Sequence, residues 1–325
     1  MNHATSIATQ SSWISEGCFE DIDAQAARYQ GYDQRYQQLS RGPFEGRFSS
    51  FNIGDDVVIH LEMTNRELAA TAATPAGRFG ACFLADASPP CALNATEFLE
   101  EHVVLSPEKR CVEGRMAEGV RIFCMDVAGE LFPDNLFWGR VTGVRHDPLQ
   151  TRQLREIVEA GLSAFGSLQR PTLYPAAVRS FNSSVADLLW HMTLSPDDDD
   201  EVRSRHQSAA RAVRVFQKAR DYIHHRLADG ISIVALCKEV GVSRRSLEGA
   251  FHSVIGNSPG SFIRSLQLNR VRRDLTSFDS DSSSIGMIAA RHGIWHWSRF
   301  SRYYKEMFGE LPSQTRARCI ASRPG

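Results

Sequence analysis

The sequence predicts a two-part α+β chain: a β-rich N-terminal module with flanking helices, then an all-α half built from two helix-turn-helix units joined by a linker helix. Three observations predict it. Residues 44–145 carry short alternating or apolar runs broken by Gly, Pro, Asn and Asp, the pattern of short strands. Past residue 211 the apolar positions recur at helical spacing, and most of these stretches begin on a capping residue or end on a glycine. The charge is also divided unevenly. Of 37 Lys+Arg and 38 Asp+Glu, 19 and 9 fall in residues 211–325, giving that stretch +10 and leaving 18 − 29 = −11 for the first 210 residues. A split of this size points to a basic module for an anionic polymer beside an acidic module with another task.

A length of 325 residues suits two domains, and 42% hydrophobic with 23% charged residues is ordinary for a water-soluble protein. No run approaches the ~18 apolar residues of a membrane helix, so no membrane partner is expected. The N-terminus lacks a basic region followed by an apolar run, so no secretory leader is expected. The cysteines at 18, 82, 91, 111, 124, 237 and 319 form no CxxC pair, and their odd number favours reduced thiols in a cytoplasm. Asn94-Ala-Thr96 and Asn182-Ser-Ser184 match the glycosylation pattern, but without export those matches are empty.

The strands are read from "FEGRFSSFNI", "VVIHLEMT", "RFGACFLAD", "HVVLSP" and "VRIFCMDV", whose regular spacing suggests a small barrel or sandwich. Two amphipathic helices follow. One aligns Leu154, Ile157, Val158, Leu162 and Phe165, the other Val178, Phe181, Val185, Leu188, Leu189 and Met192. Such helices either cap the β module or pair with a second copy. The stretch Leu194 to Ala210 contains four consecutive aspartates, which repel one another and read as a solvated linker. It lacks the glycine and distal glutamate of an EF-hand, so no calcium site is expected there. The divisions are therefore 1–193, 194–210 and 211–325.

Seven helices are expected after the linker, with Gly230 as a stop, Ser232 and Ser243 as caps, and Pro259 in a first turn. A helix-turn-helix needs a small residue in its first helix, a glycine in a left-handed turn and an apolar anchor in its second helix. Cys237, Gly241 and Leu247 satisfy this, with Val242 buried in the turn, and Ala289, Gly293 and Phe300 satisfy it again 52 residues on. Glycine to anchor is six residues in the first unit and seven in the second.

These two units, "VALCKEVGVSRRSLEGAF…GNSPGSFIRSLQLNRVRRDL" and "IAARHGIWHWSRFSRYYKEMFGELPSQTR", resemble the DNA-binding domain of AraC/XylS-family transcription regulators over residues 211–318. The second resembles the subgroup whose turn reads Gly-Phe-Trp-His, with Ile294 in place of Phe. Gly249 and Ala250 stand where many members carry a long polar residue, so no DNA contact is expected from them. In this motif the N-terminal half of the second helix enters the major groove. The expected DNA-facing residues are Arg244, Arg245, Ser246 and Glu248 in the first unit, and His296, Trp297, Ser298, Ser301, Arg302 and Lys305 in the second. Phe300, Tyr304 (or Tyr303) and Phe308 recur at core spacing, and Trp295 reads either way, a turn tryptophan being more often wedged against the preceding helix than against DNA. A helix over Ser258–Thr276 spans about 28 Å at 1.5 Å per residue, close to the ~34 Å between successive major grooves on one side of a duplex.

The resemblance further implies a cupin-like β-barrel that binds an effector, a homodimer, and double-stranded DNA and RNA polymerase as partners, with activation of transcription in the cytoplasm. Arg28, Arg35, Arg41 and Arg47 lie within twenty residues of one another, and arginine suits carboxylate or phosphate capture, so an anionic small-molecule effector is expected there. His60 and Glu62 are the sole hint of a metal centre and lack partners, so no metal or cofactor is expected. No GxSxG, P-loop or HExxH pattern is present, and Pro90-Cys91-Ala92 stops short of a Pro-Cys-His-Arg repair motif, so no enzyme is expected. The competing reading is a constitutive DNA-binding protein whose barrel is purely structural.

Overall fold

The computed structural model describes residues 13–85, 88–132, 143–167, 174–194, 200–277 and 283–321. The chain adopts the expected α+β architecture, with two antiparallel sheets in its N-terminal half and helices in its C-terminal half. The larger sheet has the order β1 (Ile14–Phe19), β3 (Gly46–Ile53), β4 (Val57–Thr64), β11 (Arg121–Ala128), β6 (Arg78–Leu84), β9 (His102–Ser106) and β12 (Gly143–His146). The smaller has the order β2 (Arg35–Gln38), β5 (Leu68–Ala73), β10 (Cys111–Met116), β7 (Cys91–Leu93) and β8 (Thr96–Phe98). A short helix, α1 (Ile22–Ala26), is capped by Asp21, whose carboxylate accepts from the Asp23 and Ala24 N–H groups.

The period of two along each strand sorts side chains into two cores. Leu84, Val104 and Ile122 of the larger sheet meet Tyr36, Leu68, Phe98 and Met116 of the smaller one. On the opposite face Ile59, Phe83, Met125 and Val127 pack under two helices, α2 (Pro148–Gly166) and α3 (Pro175–Leu194). Leu154, Val158, Val185 and Leu189 are fully buried there, so both helices cap the sheet of their own chain. Asn182 is buried as well and donates to the Ile53 carbonyl at 3.1 Å, which removes it as a glycosylation acceptor.

The helical half comprises α4 (Asp200–Arg226), α5 (Ile233–Val240), α6 (Arg244–Ile255), α7 (Pro259–Thr276), α8 (Ile285–Arg291), α9 (Trp297–Phe308) and α10 (Pro312–Ala321). Residues 200–210, expected to be part of a solvated linker, are instead the first turns of α4. Asp200, the last of the four-aspartate run, is the first residue of that helix. The other aspartates of that run lie outside the described residues.

The halves meet where β2 crosses α7. β2 is an edge strand, and the Asn269 carboxamide of α7 pairs with its outer peptide group, accepting from the Gln38 N–H at 3.2 Å and donating to the Gln38 carbonyl at 3.1 Å. Gln37 donates to the Ser265 hydroxyl at 2.6 Å and the Phe262 carbonyl at 3.1 Å. The Gln38 side chain donates to the Met307 carbonyl at 2.8 Å. Arg273 forks onto Asp23 at 2.6 and 2.7 Å and also donates to the Tyr36 carbonyl. Nearby, Arg220 of α4 pairs with the buried Glu113 of β10.

His224 of α4 lies close to this interface and accepts from Arg270 of α7 at 2.6 Å. Burial, then the cations of Arg270 and Arg220, push its pKa down from 6.5 to about 4, against a small opposing pull from Asp221. As pH falls from 6.5 towards 4 the unfolded chain therefore takes up this proton first, and stability is lost across that window. Urea melts of wild type and His224→Gln between pH 7 and 4 are expected to show a shallower decline in the variant. Parallel declines would remove His224 as a contributor. In a second measurement, Asn269→Ala strands two buried peptide groups and should lower stability by about 1–3 kcal/mol. A change below ~0.5 kcal/mol would mean the β2 edge does not depend on it.

Candidate nucleic-acid interface

Each turn is built around a glycine in the left-handed region. Gly241 has φ 76° and closes α5 by donating to the Cys237 carbonyl at 2.9 Å. Gly293 has φ 75°, and a methyl group on it would collide with the Leu227 carbonyl just past α4, so both backbone freedom and close approach require glycine. Leu247 anchors α6 and Phe300 anchors α9, both buried, as the spacing predicts. Tyr304 is fully buried, with its hydroxyl 2.9 Å from that of Thr315, while Tyr303 is only half-buried. The core face of α9 is therefore Phe300, Tyr304, Met307 and Phe308.

In the first unit Ser243 caps α6 by accepting from the Ser246 N–H at 3.1 Å. The Ser246 hydroxyl lies 2.9 Å from that of Ser243, so this side chain is engaged in the cap. Arg244 pairs with Glu248 one turn on at 2.8 Å, and that carboxylate holds its guanidinium pKa up. Arg245 is exposed and makes no ion pair or hydrogen bond among the described residues. Ala250 is buried in the core, and the space around Gly249 is open, so neither extends a polar group outward.

In the second unit His296, Trp297, Ser301, Arg302 and Lys305 are all exposed, and Ser298 is the second residue of α9. Arg302 is partly committed: it lies 5.2 Å from the Tyr303 ring centroid and 3.7 Å from Glu306. The same Glu306 carboxylate also pairs with Arg41 of the N-terminal half at 3.1 Å. Lys305 has no partner among the described residues. The two tryptophans differ in packing. Trp295 is 61% exposed, whereas the Trp297 ring lies over α8, where a Cβ on Gly286 would meet it at 2.7 Å. The glycine at 286 was the available sequence signal, since it leaves room for a large neighbour.

The four arginines expected to gather round an anion do not converge. Arg28 donates to Ser15, Arg35 pairs with Asp33 at 2.9 Å, Arg41 pairs with Glu306, and Arg47 projects from β3 in the other sheet from Arg35. The reason is local: Asp33 and Glu306 neutralise Arg35 and Arg41 separately, while Arg28 turns to a serine and Arg47 lies on another sheet. His60 faces Asp126 at 3.7 Å, and no group of three or more metal-ligating side chains occurs among the described residues.

A cavity of about 90 Å³ lies between the sheets, lined chiefly by apolar side chains. At its edge the buried Glu62 carboxylate accepts from Gln25 at 2.7 Å, from Tyr29 at 2.8 Å and from Tyr36 at 2.7 Å. Burial pushes the Glu62 pKa up, while these three donors pull it back. Sequence reasoning missed Gln25, Tyr29 and Tyr36, because their only signal is that polar residues precede a strand.

A helix-turn-helix domain model matches residues 236–318. The probable thc operon regulatory protein of Rhodococcus erythropolis is 26% identical over 168 residues, 52% of this chain and 49% of the relative. XylDLEGF operon transcriptional activator 2 of Pseudomonas putida is 33% identical over 112 residues, 33% of this chain and 71% of the relative. The chain thus spans about half the length of the first of these relatives. Among solved structures, the AraC-like transcriptional activator CuxR aligns at 16% identity with a TM-score of 0.41, covering 85% of this chain and all of that one.

The contrast between the tryptophans is testable by thermal melts. Trp297→Ala should destabilise the protein by about 1–2 kcal/mol, since a half-exposed ring loses part of its packing. Trp295→Ala should stay within about 0.5 kcal/mol of wild type. The reverse order would overturn the placement of the two rings.

Proposed function

Because the chain belongs to the AraC/XylS family of transcription regulators, we propose that it is a sequence-specific DNA-binding regulator, and that its β-rich half reads a small molecule in the cavity between the sheets. The observation that carries this reading is the pair of helix-turn-helix units, each turning on a left-handed glycine and joined by α7. With 18 residues α7 is about 27 Å long, which suits two adjacent major grooves on one side of a duplex.

In this reading Arg245 and Lys305 make the first contacts, since neither has an internal partner to give up. Arg302 joins them by exchanging Glu306 for phosphate or a guanine edge. His296, Trp295 and Ser301 flank it. Arg244, Ser246 and Glu248 chiefly order the start of α6. The matched relatives are named as operon regulators and activators, and activation with RNA polymerase as partner is carried over here as part of the proposal. A homodimer would pair the outer faces of α2 and α3, where Leu149 is 63% exposed and Leu188 half-buried. Binding in the cytoplasm, with no catalytic step, completes the reading. The effector occupies the inter-sheet cavity rather than the dispersed arginines.

Gel-shift and footprinting assays with the full chain test it. Each bidentate base contact is worth about 1–3 kcal/mol at its own base pair, whereas a lost phosphate contact weakens all sequences alike and lowers the salt slope by about one. Arg245→Ala and Lys305→Ala should each follow one of these two patterns. Half-sites are expected about 10–10.5 bp apart, and inserting 5 bp between them should reduce binding to that of a single unit. Salt-independent binding, or equal affinity with the insertion, would overturn the two-groove reading.

A further inference from the structure

Three of the seven cysteines, Cys82, Cys91 and Cys124, line the inter-sheet cavity. Cys82 of β6 and Cys124 of β11 are directly opposed across the sheet, and their sulfurs lie 3.3 Å apart. Both point from the face of the larger sheet that looks towards the smaller one, and both are reduced thiols. Cys124 also contacts the Tyr29 hydroxyl, which donates to Glu62. Nothing in DNA recognition uses this pair. We propose that Cys82 and Cys124 form a binding site for a trivalent organoarsenical, with both sulfurs bonded to arsenic and its carbon substituent lying in the apolar cavity.

Geometry selects this ligand class from the others that favour thiols. At a bond length of ~2.3 Å, that of zinc to a thiolate sulfur, two sulfurs 3.3 Å apart subtend about 92° at the atom between them. A two-coordinate soft ion is linear, and zinc is tetrahedral with four ligands, whereas no group of three or more His, Cys, Asp or Glu is placed for a metal among the described residues. A near-right angle is the geometry of a pyramidal trivalent centre that bonds through p orbitals, as arsenic(III) does. Two sulfurs leave one valence for carbon, and the walls beside the pair are apolar: Ala70, Leu93, Phe98, Val104 and Ile122. At 10–15 Å³ per water-sized unit, the cavity has room for about six to nine such units, enough for a methyl group or a single ring.

A redox switch fits less well. The hydrogen bond to Cys82, and burial, hold the Cys124 thiol well above its ordinary range, so the thiolate that an oxidant needs is scarce. Condensation with an arsenical needs no oxidant. In the reaction with R–As(OH)₂ two S–H and two As–O bonds break and two As–S bonds form. Two waters leave, and arsenic stays trivalent.

Occupancy would press on Tyr29 and so on the Glu62–Tyr36 network. Tyr36 belongs to β2, and its next two residues hold α7. That consequence rests on the regulator reading, whereas binding itself does not.

The test uses the full-length reduced protein and phenylarsine oxide, read by intact mass in excess monothiol and reversed by dithiothreitol. One phenylarsenic per chain is expected, and its affinity should fall at least tenfold in Cys82→Ser and in Cys124→Ser. Cys18→Ser and Cys111→Ser, both at exposed thiols, should bind as wild type. Circular dichroism melts confirm that the variants fold, with Cys82→Ala and Cys124→Ala as alternatives should a serine variant fail. An adduct that persists in both pair variants, or none in wild type, overturns the site. Adduct formation without a change in DNA affinity overturns the coupling through β2. Wild type that binds the arsenical but no DNA overturns the regulator reading and leaves the site standing.

Discussion

Asn269 presents its carboxamide to the free edge of β2 as a neighbouring strand would, giving one donor and one acceptor to the Gln38 peptide. An edge strand otherwise leaves such groups to water or to another chain. The residue that closes this edge lies in the middle of α7, the helix that also joins both helix-turn-helix units. The position of α7 therefore follows from the smaller sheet as much as from its own two cores. Gln37, Gln38 and Arg273 reinforce the same crossing, so β2 is bound on its inner side to Glu62 through Tyr36 and on its outer side to α7. Four residues connect a buried carboxylate in one half with the helix that joins the two helix-turn-helix units in the other.

The opposed charges of the two halves serve this contact too. Arg273 with Asp23 and Arg220 with Glu113 join the halves in the sense of that split, whereas Arg41 with Glu306 joins them in the reverse sense. Part of the basic excess after residue 211 is thus spent inside the molecule. Of what remains outward, Arg245 on α6 and Lys305 on α9 have no internal partner among the described residues. Glu306 stands between these uses, since it meets Arg41 from the sheet half and Arg302 from its own helix. A surface that released Arg41 would change what Arg302 can reach.

The helical half was legible because its constraints are local. Capping serines, two turn glycines and the recurrence of Leu247, Phe300 and Tyr304 fix elements that need only their neighbours in sequence. Strands with a clear alternation, such as Val57–Thr64 and Arg121–Ala128, were legible for the same reason. β2 was not. Its sequence, Arg-Tyr-Gln-Gln, is polar in part because its two glutamines satisfy hydrogen bonds to residues more than 200 positions away, and no local pattern records that. The same distance explains the arginines at 28, 35, 41 and 47. Their spacing suggested one site, but Arg28, Arg35 and Arg41 turn to Ser15, Asp33 and Glu306 on separate elements, and Arg47 lies on the other sheet. Trp295 reads either way in the sequence because a two-residue shift at a helix start decides which ring meets Gly286.

The crossing of β2 over α7 also governs how the chain can be divided. Cutting between α3 and α4 severs no strand pairing, yet it strips the Asn269 amide from Gln38 and uncovers Leu39, Ala69 and Ala95, which pack against the helical core. The liberated sheet half would carry a bare, partly apolar strand edge, an invitation to intermolecular strand addition. The natural seam in the sequence is therefore a poor place to divide the chain into separate fragments, and the solubility of the sheet half is a property it borrows from its partner.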